Sequence, residues 1–143
     1  ASVAFPILCG AYLGVAESAY EYAVASAANR EDPIVQRQVG LMHHRLQVAT
    51  WALEGALAVV GDDPTPSMAT FAAVMEAKRE IALAGIEVCD IAMEVGGGPA
   101  FFKGSPIERA YRDIRAAKFH PLTPEATLLH AGRLALGQPC EQV

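Results

Sequence analysis

The sequence is short of aromatic residues, which make up 7% of it, and of charge, at 19%. So little charge, with a net of −5, leaves no basic footprint of the kind that nucleic acid selects. At 52% hydrophobic it is too apolar for disorder. Its three cysteines, Cys9, Cys89 and Cys140, are an odd number with no short spacing. That excludes a disulfide framework and a CxxC metal or redox site. Two small core fillers and one tail residue are predicted instead, in a reducing, cytoplasmic setting. No apolar run reaches the 18 residues a membrane span needs. Ala1 to Ala16 is uncharged but lacks a basic leader and contains Pro6, Gly10 and Gly14. No stretch alternates with period two between turn residues, so no strand is predicted. An initiator methionine is also missing, and the chain reads as a piece of something longer.

Several chemical signatures are absent too. There is no H-E-x-x-H, no phosphate-binding Walker loop and no G-x-S-x-G. A di-iron bundle needs Glu-x-x-His on two helices, yet none of His43, His44, His120 and His130 has a glutamate three residues before it. No metal site is predicted, and His43 and His44 read as helix surface.

What is present is alanine, 27 residues of it, in a chain long enough for one domain. Alanine is the best helix former and lets backbones approach closely. The prolines leave free stretches of 26, 30, 32, 14 and 14 residues, each able to form a helix. In the second, Val35, Val39, Met42, Leu46, Ala49, Leu53, Ala56 and Val60 alternate by four and three, a sustained packing seam. It stops at Gly61-Asp62-Asp63-Pro64. In the third, the stripe Val74, Ala77, Ile81, Ala84, Val88, Ile91, Val95 is widened by Phe71, Met75, Ala82, Cys89 and Met93, so this helix should be the more buried. Helices of about 30 residues are roughly 45 Å long and pack side by side. Two shorter helices, about 107–118 and 125–136, fill the fourth position. The predicted fold is all-α: an up-and-down four-helix bundle of long antiparallel helices. The long first and third helices carry more apolar surface than one bundle hides, which predicts self-association.

Two features exceed what a bundle requires. Gly96-Gly97-Gly98-Pro99 ends the third helix with three glycines where one suffices for a cap. The excess fits either a hinge or the close approach of a ligand. The segment from Lys103 to His120 has net charge +3 against −8 for the remainder. Glu108 is predicted to pair with Arg112 and Arg109 with Asp113. That face is either solvated or a dock for an acidic domain or a phosphate-bearing cofactor. Ser105-Pro106-Ile107-Glu108 has the pattern of a complete capping box.

The strings Gly97-Gly98-Pro99-Ala100-Phe101-Phe102 and Ser105-Pro106-Ile107-Glu108-Arg109-Ala110-Tyr111-Arg112-Asp113 resemble the carboxy-terminal helical domain of the acyl-CoA dehydrogenase superfamily. His120-Pro121-Leu122 and the run from Gly132 to Gly137 suit it as well, and Ala11 to Ala16 is similar to the family's opening bundle helix. The resemblance spans the chain and is densest between Glu87 and Gly137. It implies a three-domain flavoenzyme of which residues 1–143 form the C-terminal bundle. FAD then lies between a middle β-domain and the bundle, and copies assemble into dimers or tetramers. The glycine loop, Gly96, Gly97 and Gly98, lies against the flavin nucleotide of a neighbouring subunit. Arg30 is the nearest match to an arginine that reaches the cofactor's pyrophosphate, although the usual Arg-x-x-Phe-Gly is absent.

The resemblance also implies oxidation of a Cα–Cβ bond of an acyl-CoA thioester. Dehydrogenases of the family commonly carry the base in Tyr-Glu-Gly-Thr; here Pro121 stands at the glutamate position, and proline is no base. Glu87 and Glu94 are alternatives on another helix, and Glu125 reads as an early-turn helix residue. The branch most similar to this sequence includes flavin monooxygenases, some with a histidine near this place, which makes His120 the polar candidate. Three readings follow: a dehydrogenase domain, a monooxygenase domain, or a free-standing oligomerisation module without catalysis.

Overall fold

A computed structural model describes residues 4–140; Ala1 to Val3, where the uncharged opening stretch begins, lie outside the described residues. Three long helices, α1 (Ala4–Ala27), α2 (Pro33–Val60) and α3 (Met68–Gly96), run up, down and up. A short turn of helix α4 (Gly98–Phe101) leads into α5 (Pro106–Asp113), a 3-10 turn (Ile114–Lys118) and α6 (Pro124–Ala135). None of the described residues is in a strand.

Local chemistry sets the boundaries. Asp32 caps α2 by accepting from the Ile34 amide at 2.9 Å, with Pro33 at the first position. Gly61, with φ 65°, ends it. Ser67 and Thr123 cap α3 and α6 in the same way. The capping box expected at α5 forms by half. Ser105 Oγ accepts from the Ile107 amide at 3.2 Å, but Glu108 turns to Arg112 at 3.1 Å. A charged partner one turn on competes successfully with the neutral cap amide.

The four-three seam of α2 faces inward: Val35, Met42, Leu46, Ala49 and Ala56 are buried and Val39, Leu53 and Val60 half-buried. Helix α3 is the axis of the molecule. It touches α1, α2, α5 and α6, and fourteen of its residues are buried. Its apolar surface is therefore consumed within one copy, contrary to the surplus expected of it. Helix α1 does keep exposed apolar residues, Ile7, Leu8 and Tyr22, and others are Ile34, Trp51, Leu57 and Val59 of α2, Phe101 and Phe102 at α4, and Leu128 and Leu129 of α6.

Small residues permit this density. Cys9, Ala16, Ala19 and Ala23 of α1 are buried against α3. At Gly85 an added Cβ would lie 2.8 Å from Ile114 Cδ1 and 3.6 Å from Ala16 Cβ. Arg45 bridges α2 to α3 by meeting Glu87 at 2.6 Å and Glu80 at 3.9 Å. None of the described helices is long and apolar enough to cross a membrane.

Candidate functional site

The candidates separate into two places. At one pole meet the end of α1, the start of α2 and the end of α3. Arg30 Nη1 donates to the Val95 carbonyl at 3.1 Å, which fastens the guanidinium to the last turn of α3, one residue before Gly96. Gln38 Nε2 donates to Glu94 Oε2 at 2.8 Å at the same pole. Arg30 also stands 3.9 Å from Asp32, and its side chain remains 46% exposed. A guanidinium has five N–H donors, and the Val95 carbonyl takes one of them.

The three glycines have three different reasons. At Gly96 a Cβ would come 2.8 Å from Ala100 Cβ and 3.0 Å from Ile107 Cδ1, so it is a packing glycine. Gly97 has φ 66° and caps α3, its amide donating to the carbonyls of Met93 and Glu94. Gly98 has neither constraint: a Cβ there meets nothing within 4 Å, and the residue is exposed. Gly98 thus leaves open backbone at the end of α3 where Arg30 is bonded to Val95. On the far side of the loop, Met93, Phe101, Phe102, Lys103, Glu108 and Tyr111 line an open cleft of about 550 Å³.

His120 is not at that pole. Its carbonyl accepts from Lys78 Nζ at 2.9 Å, and its ring lies 5.8 Å from that of Tyr12, centroid to centroid. Lys78 precedes Gly96 by 18 positions on α3, about 27 Å along the axis at about 1.5 Å per residue. A groove of about 470 Å³ runs between α1 and α5 from Ala11, next to Tyr12 in the chain, past Gly14 and Ser18 to Tyr22. Arg109 and Asp113 line its other wall. They do not pair: Asp113 meets Arg112 at 3.7 Å instead. Arg115 pairs with Asp90 and lies over the Tyr111 ring at 4.3 Å. Arg109 is thus left facing the groove.

Pro121 is exposed, while Leu122 beside it is buried. Glu125 stands in the first turn of α6. Glu87 is taken by Arg45 and Glu94 by Gln38. The adjacent His43 and His44 are exposed, with the His43 ring near Tyr20. Cys9 and Cys89 are buried free thiols, and burial pushes them up to about 11 and about 12 respectively.

Three residues escaped the sequence reading. Lys78 is 3% exposed, and burial lowers the pKa of its amine, against the smaller opposing effect of Cys9. Burial likewise raises the Tyr12 phenol. His130 packs edge-on against Phe71 at 5.2 Å with its Nε2 buried and without a partner. Lys78 had a visible signal: with Met75 three before it and Ile81 three after, it stands on the apolar face of α3.

Residues 7–125 match the family model described as acyl-CoA dehydrogenase, C-terminal domain. YdbM of Bacillus subtilis (strain 168), a protein assigned as an acyl-CoA dehydrogenase, is 31% identical over 127 residues, which cover 82% of this chain and 33% of YdbM. The chain thus spans about a third of that relative's length. An acyl-CoA dehydrogenase from Slackia heliotrinireducens DSM 20476 superposes with a TM-score of 0.84 at 25% identity, over 95% of this chain and 37% of that one. KijD3, solved in complex with FMN and a dTDP-linked amino-keto sugar, superposes with a TM-score of 0.88 at 23% identity, over 99% and 38%. The two solved structures share the fold of this chain.

Proposed function

This chain belongs to the acyl-CoA dehydrogenase C-terminal domain family, and we propose that it forms the bundle domain of an FAD-dependent oxidoreductase acting on the CH–CH group of an acyl thioester. The observation that supports the cofactor reading is the hydrogen bond from Arg30 to the Val95 carbonyl at 3.1 Å, which fastens a cation to the helix end that leads into the glycine loop. Arg30 would hold a phosphate, and Gly98 would let the nucleotide approach. Bound flavin would supply the hydride acceptor. The chain's own residues would do the rest: the α1/α5 groove would admit an extended acyl group, and His120 would stand near its far end with Tyr12. Further reach of the proposal is a cytoplasmic protein that associates with copies of itself.

Pro121 favours one rival, since a proline stands where the dehydrogenases' glutamate is expected. On that reading the parent is a flavin monooxygenase and His120 serves reduced flavin and O₂. The two are separated on the protein expressed from its whole gene. A flavin absorbance band that bleaches anaerobically under acyl-CoA selects the dehydrogenase. A band that stays unbleached, with O₂ consumption coupled to substrate hydroxylation, selects the monooxygenase. A colourless protein that gains no band on incubation with FAD or FMN refutes both.

A further inference from the structure

Lys78 is a buried cation without a carboxylate partner among the described ion pairs. Its Nζ reaches three backbone carbonyls: Leu122 at 2.8 Å, His120 at 2.9 Å and Ala117 at 3.5 Å. An ammonium has three N–H donors and no acceptor, so these carbonyls take up its whole donor set. Ala117 stands in the last turn of the 3-10 helix and His120 and Leu122 follow it, a place where carbonyls need partners from outside the helix. Leu122 is itself buried, so its carbonyl cannot turn to bulk water.

Burying a cation is costly, and an apolar side chain on this face of α3 would pack without that cost. What the ammonium does instead is fasten the backbone on both sides of Pro121. Charge-assisted hydrogen bonds are stronger and more directional than neutral ones. Two of them, at His120 and Leu122, leave the intervening residue little room to shift. The Tyr12 ring closes the other side of His120.

We propose that Lys78 is a positioning residue: its ammonium holds the carbonyls of Ala117, His120 and Leu122 and so sets the place of the His120 ring against Tyr12. The inference rests on the reading of His120 as part of the working site.

The test uses the protein expressed from its whole gene, with Lys78→Met, His120→Ala and the double variant. In Lys78→Met, amide exchange at 118–123 is expected to quicken about tenfold or more while the long helices keep their protection. Turnover should fall about tenfold (~1.4 kcal/mol) with flavin content unchanged. Added to His120→Ala, Lys78→Met should cost nothing further, because residues that act through one group are not additive. Unchanged exchange at 118–123 overturns the inference. So does a turnover loss that multiplies in full on the His120→Ala background. A His120→Ala variant with unaltered turnover and pH profile refutes the site reading itself, and it does so whatever the exchange data show. If Lys78→Met does not accumulate as folded protein, Lys78→Leu, which likewise has no N–H donor, is read by the same outcomes.

Discussion

Gly96, Gly97 and Gly98 are one string of letters and three physical cases. Gly96→Ala drives a methyl to 2.8 Å from Ala100 Cβ, and a loss of about 1–3 kcal/mol is expected in thermal unfolding, the range for overpacking. Gly98→Ala meets nothing, and its melting temperature should match the parent's. Gly97 is a poor probe of cofactor binding, because any side chain at φ 66° is strained with or without a ligand. Gly98→Val is the informative variant: weaker flavin retention with unchanged unfolding supports the contact, and full retention removes it.

The thiols give a second residue-scale prediction. Cys9 and Cys89 hold their protons to about 11 and about 12 when folded, against 9 when unfolded. The folded state therefore binds more protons between those values, and its stability falls as pH rises. The contribution is intact below pH 9 and is lost as pH passes through the folded values. Replacing both by alanine should flatten the alkaline decline in melting temperature. A decline of equal steepness in that variant would show the burial effect to be negligible.

At the scale of elements, the molecule is organised by what α3 can accept on four sides. At Gly85, α3 makes room for Ile114 of the 3-10 turn and Ala16 of α1. Gly85→Ala alone should destabilise by about 1–3 kcal/mol, and Ile114→Val alone by about 0.5–1.5 kcal/mol. Together they should cost less than their sum, because Ile114→Val deletes the Cδ1 atom that the new methyl would strike. Additive losses, measured by denaturant midpoint, would place the strain elsewhere. The seam of α2, the stop at Gly61 and the start of α6 were legible because each depends on neighbours a few residues away. The Arg109–Asp113 pair was misjudged for the converse reason. Spacing permits both Arg109 and Arg112 to reach Asp113, and only the packing of α5 on α1 turns Arg109 into the groove.

At the scale of the whole molecule, apolar surface is left on α1, α2, α4 and α6 rather than on α3. Trp51 is 59% and Phe119 81% exposed. Exposed large apolar side chains that cluster on one face mark an interaction surface, and Trp51 and Leu57 on α2 are the pair with which to probe for one. The protein expressed from its whole gene should run as an assembly of copies in light scattering at micromolar concentration. Paired Trp51→Glu and Leu57→Glu substitutions, both on exposed α2 positions, should lower that mass without changing helix content. A monomer before any substitution would count against self-association.

The sequence by itself determined that this chain is helical, where its helices start and stop, and which stripe of each faces inward. Those properties follow from periodicity, capping and proline geometry, all local. It also carried the glycine and Pro-Ile-Glu-Arg strings that tie it to a family. Only the tertiary structure decided which candidates meet. It joined Arg30 to Val95, at the helix end before the glycine loop, across 65 residues and set His120 far down the bundle beside Tyr12. It also put Lys78, an unremarked lysine on an apolar stripe, under three carbonyls from a loop some forty residues later. A buried charge's partners come from whatever segment packs over it, and no spacing within one helix states which segment that is.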